Sequence, residues 1–280
     1  MNIGSFLLGT KPLYGVFSGD IVTPVSFDFL RRYPTLRDVL DDSALDLMKQ
    51  NIELNRPIAL SDIRFLPPVP NPRKIVCVGM NYRKPYPLDG VAPPDPENII
   101  LFGKERESML AHGNALESPT GEAAHSFDYE GEIAVVIGRT ARRVTADYAM
   151  SHVLGYSAFN DGSVRDWQKH SVYAGKNFAR SGAWGPWITT SDELPPPSDL
   201  ELTVTLNGKL VQHAFGREMI FSVAKQIAYA SKIFTLRPGD VIATGSPDGT
   251  GGSRSPKRFL TPGDTVTVSV GAACTLINSV

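Results

Sequence analysis

Cysteine is scarce in this sequence. Its 280 residues include two, Cys77 and Cys274, with no Cys-x-x-Cys pair and no Cys/His cluster. A disulfide framework, a thiolate zinc site and an iron–sulfur centre are therefore excluded. The scarcity suits the reducing environment of the cytoplasm.

Long apolar runs and an excess of charge are also missing. No segment reaches the roughly 20 apolar residues that span a bilayer, and the first residues include no basic segment of the kind that opens an export signal. Lys and Arg number 28 and Asp and Glu number 29, which gives a formal charge of -1. We therefore expect a cytoplasmic protein whose partner is a small molecule, and neither a membrane nor nucleic acid.

Several familiar catalytic motifs are absent as well. The sequence has no Gly-x-Ser-x-Gly elbow and no His-Glu-x-x-His pair, so serine hydrolase and zinc protease chemistry have no support. The glycine-rich segment TGSPDGTGG lacks the Gly-Lys-Ser/Thr ending of a phosphate-binding loop and opens no recognisable helix. A nucleotide site is therefore disfavoured.

Strand signals dominate what is present. From Lys74 onward, short β-branched runs are bounded by Gly, Pro, Asn or Asp. Asn207-Gly208 separates two such runs and predicts a two-residue hairpin turn. Apolar residues at helical spacing predict helices over 36–50, 145–152 and 222–234. The expected fold is mainly β with a few helices.

A proline-rich stretch divides the chain. Residues 65–74, FLPPVPNPRK, contain four prolines, so they can form neither a helix nor a central strand and predict a linker. We expect a small N-terminal α+β domain over 1–69 and a catalytic domain over 70–280. Two polar loops, 82–98 and 246–258, are where loop-borne function is expected.

Three carboxylates are candidate metal ligands. Glu130 and Glu132 lie two apart at the start of the apolar run AVVI, so a strand would place both on one face. Such a pair is usually the solvated face of an edge strand, but a run that is apolar on both faces favours a buried one. Asp161 ends another strand-like run. Oxygen ligands alone would select Mg²⁺, Mn²⁺ or Ca²⁺ over zinc.

Seven motifs follow one another from about residue 70 to the end. They are KIVCVGMNY, LFGK, FDYEGEIAVVIG, GYSAFNDGSVRDWQ, GKNF, VQHAFGREMIFSVAKQIAYAS and RPGDVIATGSPDGTG. In this order the set resembles the catalytic domain of the fumarylacetoacetate hydrolase superfamily. The resemblance implies the mixed β-sandwich or rolled sheet of that family's C-terminal type, a homodimer, and a divalent metal, Mg²⁺ or Mn²⁺ with Ca²⁺ as a further option, held by Glu130, Glu132 and Asp161.

The resemblance also implies roles for neighbouring residues. Lys176 would lie near the metal and the substrate as a catalytic group, and Arg165, Gln168 and Tyr82 would line the substrate pocket. The segment Thr244-Gly245-Ser246 would donate hydrogen bonds to a substrate carboxylate. Taken without the resemblance, Lys176 could be an ordinary surface lysine and Arg165 part of an exposed ion pair.

One departure from the family pattern limits the transfer of activity. Hydrolytic members carry Asn-Tyr-x-x-His-x-x-Glu, whose histidine and glutamate activate water, whereas this chain has Pro85 and Leu88 at those two positions. A general base contributes a factor of about 10²–10⁴. Among possible substitutes, Asp89 and His125 are the predicted catalytic groups, and Glu107 and His112 are further candidates.

Three functions remain open at this point. The first is metal-dependent hydrolysis of a C–C bond in an acylpyruvate-like 2,4-dioxo acid, ranked first on family frequency. The second is decarboxylation or keto–enol isomerisation of a 2-oxo dicarboxylic acid at the same site, favoured by the missing pair because no water is activated. The third, a scaffold without catalysis, is disfavoured because a scaffold needs no converging carboxylates.

Overall fold

The computed structural model describes residues 1–52, 56–83 and 94–280. The strands in these ranges are β1 Asn2–Leu8, β2 Lys11–Ser18, β3 Ile21–Pro24, β4 Ile58–Ala59, β5 Ile63–Phe65, β6 Ile75–Gly79, β7 Ile100–Gly103, β8 Met109–Leu110, β9 Phe127–Asp128, β10 Gly131–Ile137, β11 Val153–Asn160, β12 Ser163–Val164, β13 Gly182–Thr190, β14 Glu201–Leu206, β15 Lys209–Phe215, β16 Val241–Ala243, β17 Thr265–Val270 and β18 Cys274–Ser279. The α-helices are α1 Phe27–Arg32, α2 Leu36–Asp41, α3 Leu45–Gln50, α4 Ala146–Ala149, α5 Arg165–Gln168, α6 Val172–Lys176 and α7 Val223–Ile233.

The strands form three sheets. The largest has the order β4-β3-β2-β1-β13-β11-β10-β16-β6-β7, with β5 added to β1 and β8 added to β13. It is mixed, because β16 runs parallel to β6 and β8 parallel to β13 while the other pairs are antiparallel. A second sheet has the order β15-β14-β17-β18, and β9 pairs with β12. The predicted mainly β, mixed-sheet fold is confirmed.

At strand β10 the large sheet is buried on both faces, because each face packs into a different core. Ile133 and Val135 belong to the core shared with β14 and β17, whereas Ala134 and Val136 belong to the core beneath the N-terminal helices. Gly131 lies against the second sheet, where an added Cβ would come within 2.1 Å of the Val204 side chain. A strand enclosed in this way leaves no solvated edge for the carboxylates at its start.

The N-terminal residues continue the large sheet. β1 pairs with β13 in antiparallel register, with Ile3 opposite Ile188, and Ile3 and Leu36 share one core with Trp184 and Phe159. Hydrogen bonding and packing therefore cross the stretch that the sequence predicts to be a linker. The division into domains at residues 69 and 70 stays a prediction.

Three of the local predictions can be compared directly. Residues 207–208 form the hairpin turn between β14 and β15, with positive φ at Asn207 and Gly208, 53° and 77°. Residues 36–50 form two helices instead of one, because Ser43 adopts a φ of 54° between α2 and α3. α7 has the predicted position. Within the described ranges, no helix is long and apolar enough to cross a bilayer.

Candidate active site

Three buried carboxylates meet where β10 begins and β11 ends. Glu132 is in β10, Glu130 directly precedes that strand, and Asp161 directly follows β11. The strands pair with Gly131 opposite Asn160, and the Asp161 amide donates to the Glu130 carbonyl at 2.8 Å. One oxygen of each carboxylate lies within 4.8 Å of the others. The sequence-predicted triad is therefore brought together, and we call it the acidic triad.

Two buried lysines neutralise part of the acidic triad. The Lys176 ammonium contacts the Glu130 carboxylate and lies 2.5 Å from Asp161 Oδ2. Lys104 Nζ lies 2.8 Å from the other Asp161 oxygen and donates to the backbone carbonyl of Gly162 at 3.0 Å. Asp161 is thus held from both sides. Burial lowers the pKa of Lys176, but Asp161 and Glu130 outweigh this effect and raise it above its ordinary value.

Arg165 connects the acidic triad to a fourth carboxylate. Its Nη1 donates to Glu130 Oε1 at 2.5 Å and its Nε donates to Asp128 Oδ2 at 2.7 Å. Asp128 is fully buried and also accepts the amides of Gly251 and Gly252, at 2.8 and 2.9 Å. It therefore fixes Arg165 and the glycine-rich loop together. Arg165 Nη2 is buried and has no hydrogen-bond partner among the described residues.

The segment around Gly245 contacts the acidic triad at Glu132. The Gly245 amide donates to Glu132 Oε2 at 2.8 Å. The Gly245 amide is therefore engaged with a carboxylate of the protein, and the donation of hydrogen bonds by Thr244-Gly245-Ser246 to a substrate carboxylate stays a prediction. Thr244 is fully buried and Ser246 nearly so. The Tyr82 ring is buried, and burial followed by the Glu132 charge raises the pKa of its hydroxyl.

The charged side chains of this site carry one more negative than positive charge, which favours the binding of a cation. Four carboxylates face three cationic side chains, namely Asp128, Glu130, Glu132 and Asp161 against Lys104, Lys176 and Arg165. Burial, followed by the nearby Asp161 charge, holds the pKa of Glu132 well above its ordinary range. An all-oxygen donor set with one uncompensated charge fits a divalent ion of the Mg²⁺, Mn²⁺ or Ca²⁺ type.

Metal binding should therefore depend on pH. A raised pKa means that Glu132 favours its protonated form in the metal-free fold, so its contribution to stability is present at low pH and is lost as the pH rises through the raised pKa. A metal must displace this proton, so metal affinity should fall as the pH is lowered toward the ordinary carboxyl range, about 4. Calorimetric titration with Mn²⁺ in buffers of different ionisation enthalpy should show proton release. A binding enthalpy that does not depend on the buffer would contradict this assignment.

Gln168 and its surroundings explain the position of α5. An added Cβ on Gly175 would come within 2.6 Å of the Gln168 backbone nitrogen, so α5 and α6 can pack this closely only with glycine at that position. The packing places Arg165 and Lys176, from successive helices, on the same carboxylate, that of Glu130. Gln168 itself is half-buried on α5 beside them.

The candidate substitute bases are placed differently from one another. His125 is exposed and makes no hydrogen bond or ion pair with the acidic triad. Glu107 is exposed. His112 accepts the Ile277 amide at 3.2 Å and packs edge-on against Phe65, which is a structural role, and burial lowers its pKa. Asp89, like Pro85 and Leu88, lies outside the described residues.

Sequence reasoning missed Lys104 and Asp128. Each lies inside a motif that carried the resemblance, LFGK and FDYEGE, but neither has a spacing that marks it as functional. Their importance depends on burial: both side chains are enclosed, and each bonds to two or more parts of the chain. The signal available in the sequence was that each of these charged residues lies directly at the end of an apolar strand, where burial is expected.

Comparison with known proteins identifies the class. Residues 74–280 match the family described as fumarylacetoacetate (FAA) hydrolase C-terminal, and the chain is an enzyme that belongs to this family, as the ordered motifs predicted. Among its relatives, the mitochondrial oxaloacetate tautomerase fahd2 of Xenopus laevis is 36% identical over 252 residues, covering 88% of this chain and 78% of that protein.

A second curated relative carries the same activity name. The oxaloacetate tautomerase YisK of Bacillus subtilis (strain 168) is 35% identical over 225 residues, covering 79% of this chain and 74% of that protein. Among solved structures, the fumarylacetoacetate hydrolase of psychrophilic Exiguobacterium antarcticum is 30% identical with a TM-score of 0.82, covering 100% of this chain and 99% of that one. Two of these relatives are thus named for a keto–enol isomerisation and the third for a hydrolysis.

Proposed function

We propose that this protein is a metal-dependent keto–enol tautomerase of a 2-oxo dicarboxylic acid of the oxaloacetate type. The observation that carries the choice is the chain's own departure from the hydrolytic pattern: Pro85 and Leu88 stand where histidine and glutamate would activate water. Tautomerisation consumes no water. The names of the two curated relatives support the same substrate class.

The reaction moves one proton and breaks no carbon–carbon bond. In the keto-to-enol direction a base takes the proton from carbon 3, the electron pair of that C–H bond forms the C2–C3 double bond, and the oxygen on carbon 2 receives a proton. The enol-to-keto direction reverses each of these transfers. The protein must therefore hold the diacid in one orientation and supply a proton donor beside the 2-oxo oxygen. A divalent ion held by Glu130, Glu132 and Asp161 would act as a Lewis acid toward that oxygen.

Arg165 is the proposed carboxylate anchor. Its guanidinium is fixed by Glu130 and Asp128 through two of its nitrogens, at 2.5 and 2.7 Å. The third nitrogen, Nη2, is buried without a partner among the described residues. A buried donor left without a partner is costly, and a substrate carboxylate would satisfy it.

Lys176 and Tyr82 are the proposed donors near the reacting oxygen. The raised pKa values of both groups keep their protons at neutral pH. Lys176 Nζ already contacts Glu130 and Asp161, so a substrate oxygen near the acidic triad would come within reach of the ammonium. The Tyr82 and Thr244 hydroxyls are buried beside each other, without a well-aligned hydrogen bond.

A three-way assay tests the proposal. The purified protein, loaded with Mg²⁺ or Mn²⁺, is given enol oxaloacetate, an acylpyruvate such as acetylpyruvate, and keto oxaloacetate monitored for carbon dioxide. We expect rapid decay of the enol absorbance, with slow hydrolysis and slow decarboxylation. Rapid acylpyruvate cleavage with no effect on the enol would favour the hydrolase, and rapid release of carbon dioxide would favour the decarboxylase.

Lys176→Met should lower kcat for enol decay by about 10²-fold or more, because the variant removes the ammonium proposed to stabilise the negative charge that develops on the oxygen of carbon 2. Lys169→Met is the matched control, because Lys169 is exposed on the same segment and, among the residues that the structure describes, forms an ion pair with exposed Asp166 alone. We expect the control to retain wild-type kcat. Melting curves with Mn²⁺ verify that both variants fold and bind metal. Wild-type kcat in a metal-loaded Lys176→Met protein would remove Lys176 from the mechanism.

A further inference from the structure

A second cavity lies away from the acidic triad, between α7, α4 and residues 97–99. Its volume is about 640 Å³, within the range of small-molecule sites. The described residues that line it are Glu97, Asn98, Ile99, Arg143, Val144, Thr145, Ala146, Phe221, Lys225, Ala228, Tyr229 and Lys232. None of them belongs to the candidate active site.

One face of α7 lines this cavity and does not pack into the core. Val223, Ile227 and Ala230 are buried in the core that also contains Ala149 of α4. Lys225, Tyr229 and Lys232 recur at spacings of four and three residues, so they lie on one face of the helix, and that face lines the cavity. A helix with one apolar stripe needs only polar residues elsewhere. Here the second face combines two cations with a half-buried aromatic ring.

The cavity carries an excess of positive charge. Arg143, Lys225 and Lys232 line it, against one carboxylate, Glu97. Among the described residues, none of these three cations has a carboxylate within 4.0 Å. On a chain whose formal charge is -1, three unpaired cations around one concavity form a local field that attracts anions.

Arg143 is held at the cavity rim in an uncommon conformation. Its φ is 54°, a left-handed value that non-glycine residues seldom adopt. The Arg143 amide donates to the Ser231 carbonyl at 2.9 Å, and the Val144 amide donates to Ser231 Oγ at 3.1 Å. The surrounding structure therefore fixes this backbone, and such fixed outliers are concentrated at ligand-binding sites.

We propose that this cavity binds a small organic anion composed of an aromatic ring and a terminal carboxylate or phosphate. The three cations fit the anionic group, and Tyr229, Phe221 and Ile99 fit the ring. An inorganic anion would leave the apolar wall exposed, and a neutral aromatic compound would leave the cations without a partner. The proposal is independent of the reaction at the acidic triad.

Asn81 connects this cavity to the candidate active site. Its side chain accepts the Phe221 amide at 2.8 Å and donates to the Thr244 carbonyl at 2.7 Å. Phe221 lines the cavity, and Thr244 lies beside Tyr82 in the candidate active site. Asn81 thus makes one hydrogen bond to a residue of each region.

Calorimetric titration of the metal-loaded protein tests the site. The probes are phenyl phosphate and phenylacetate, with inorganic phosphate and benzyl alcohol as their separate halves. We expect one or both amphipathic anions to bind at least tenfold more tightly than either half. Arg143→Gln/Lys225→Gln should weaken that binding about tenfold or more, and Ala146→Phe should block the cavity without a change of charge.

Two controls locate the binding. Lys11→Gln/Arg64→Gln removes the same two charges from exposed positions on β2 and β5, and it should bind the probe as the wild type does. Glu132→Gln should also bind it normally, because the acidic triad is not involved. Unchanged affinity in Arg143→Gln/Lys225→Gln, loss of binding in Glu132→Gln, or no wild-type binding at millimolar probe would each overturn the proposal.

Discussion

Replacing Glu132 by Gln should abolish both metal-dependent stabilisation and catalysis while the protein stays folded. The wild-type protein at 100 times the Kd for Mn²⁺ should gain about 2.7 kcal/mol, a rise in Tm of about 5 °C or more. The variant should show no rise, because it removes a ligand charge of the acidic triad. Gln retains an oxygen that can accept the Gly245 amide, so the local hydrogen bond is preserved.

Without metal, Glu132→Gln should not lower the stability of the protein, in contrast to its effect when Mn²⁺ is present. Burial and Asp161 raise the pKa of Glu132, so its ionised form destabilises the metal-free protein at neutral pH. Glu132→Gln without metal should therefore melt no lower than the wild type. Glu201→Gln, at an exposed carboxylate on β14, is the matched control and should keep the full response to Mn²⁺. A Glu132→Gln protein that Mn²⁺ stabilises as strongly as the wild type would place the metal elsewhere.

Two features of the sequence around β10 made part of the acidic triad predictable. An apolar run that occupies both faces of β10 requires burial, and a spacing of two keeps Glu130 and Glu132 together. Asp161 was a candidate because it ends another strand-like run, and the antiparallel pairing of β11 with β10 is what brings it beside the other two. The spacing of two is a local rule of strand geometry, whereas this pairing is a contact between separate segments.

Other features depend on contacts between distant parts of the chain. Lys104 reaches Asp161 from 57 residues away and Asp128 holds amides more than 120 residues away, and no local pattern marks either. The break at Ser43 requires a positive φ that the apolar spacing of 36–50 does not reveal. The hydrogen bond from the Gly245 amide to Glu132 also joins distant parts of the chain, and no local pattern predicts it. Each case is decided by tertiary packing.

The ranking of the candidate functions shows a different limit of inference from sequence. The sequence already contained the departure on which the proposed function rests, Pro85 and Leu88 in place of the water-activating pair, yet family frequency placed hydrolysis first. The two oxaloacetate tautomerases among its relatives favour the reading that the departure itself favoured. A missing catalytic group is physical evidence about this chain, whereas family frequency describes other chains.

Removing residues 1–69 should eliminate soluble, folded protein. β1 covers the edge of β13, and Ile3, Leu36 and Met48 are fully buried in the core that also contains Trp184. Each buried side chain of this size stabilises the fold by about 2 kcal/mol, and half of the buried members of that core precede residue 70. The loss exceeds the 5–15 kcal/mol that a folded domain typically has, and it exposes an unpaired strand edge.

Expression of 70–280 alone and together with a separate 1–69 chain measures this dependence. We expect the larger piece alone to be insoluble, and coexpression to restore soluble protein with a Mn²⁺-dependent Tm. Deletion of the exposed tip Gly9-Thr10 between β1 and β2 is the control and should be tolerated, because these residues lie outside the core. A soluble 70–280 protein with native circular dichroism and an undiminished response to Mn²⁺ would instead support an independent catalytic domain beginning near Pro70.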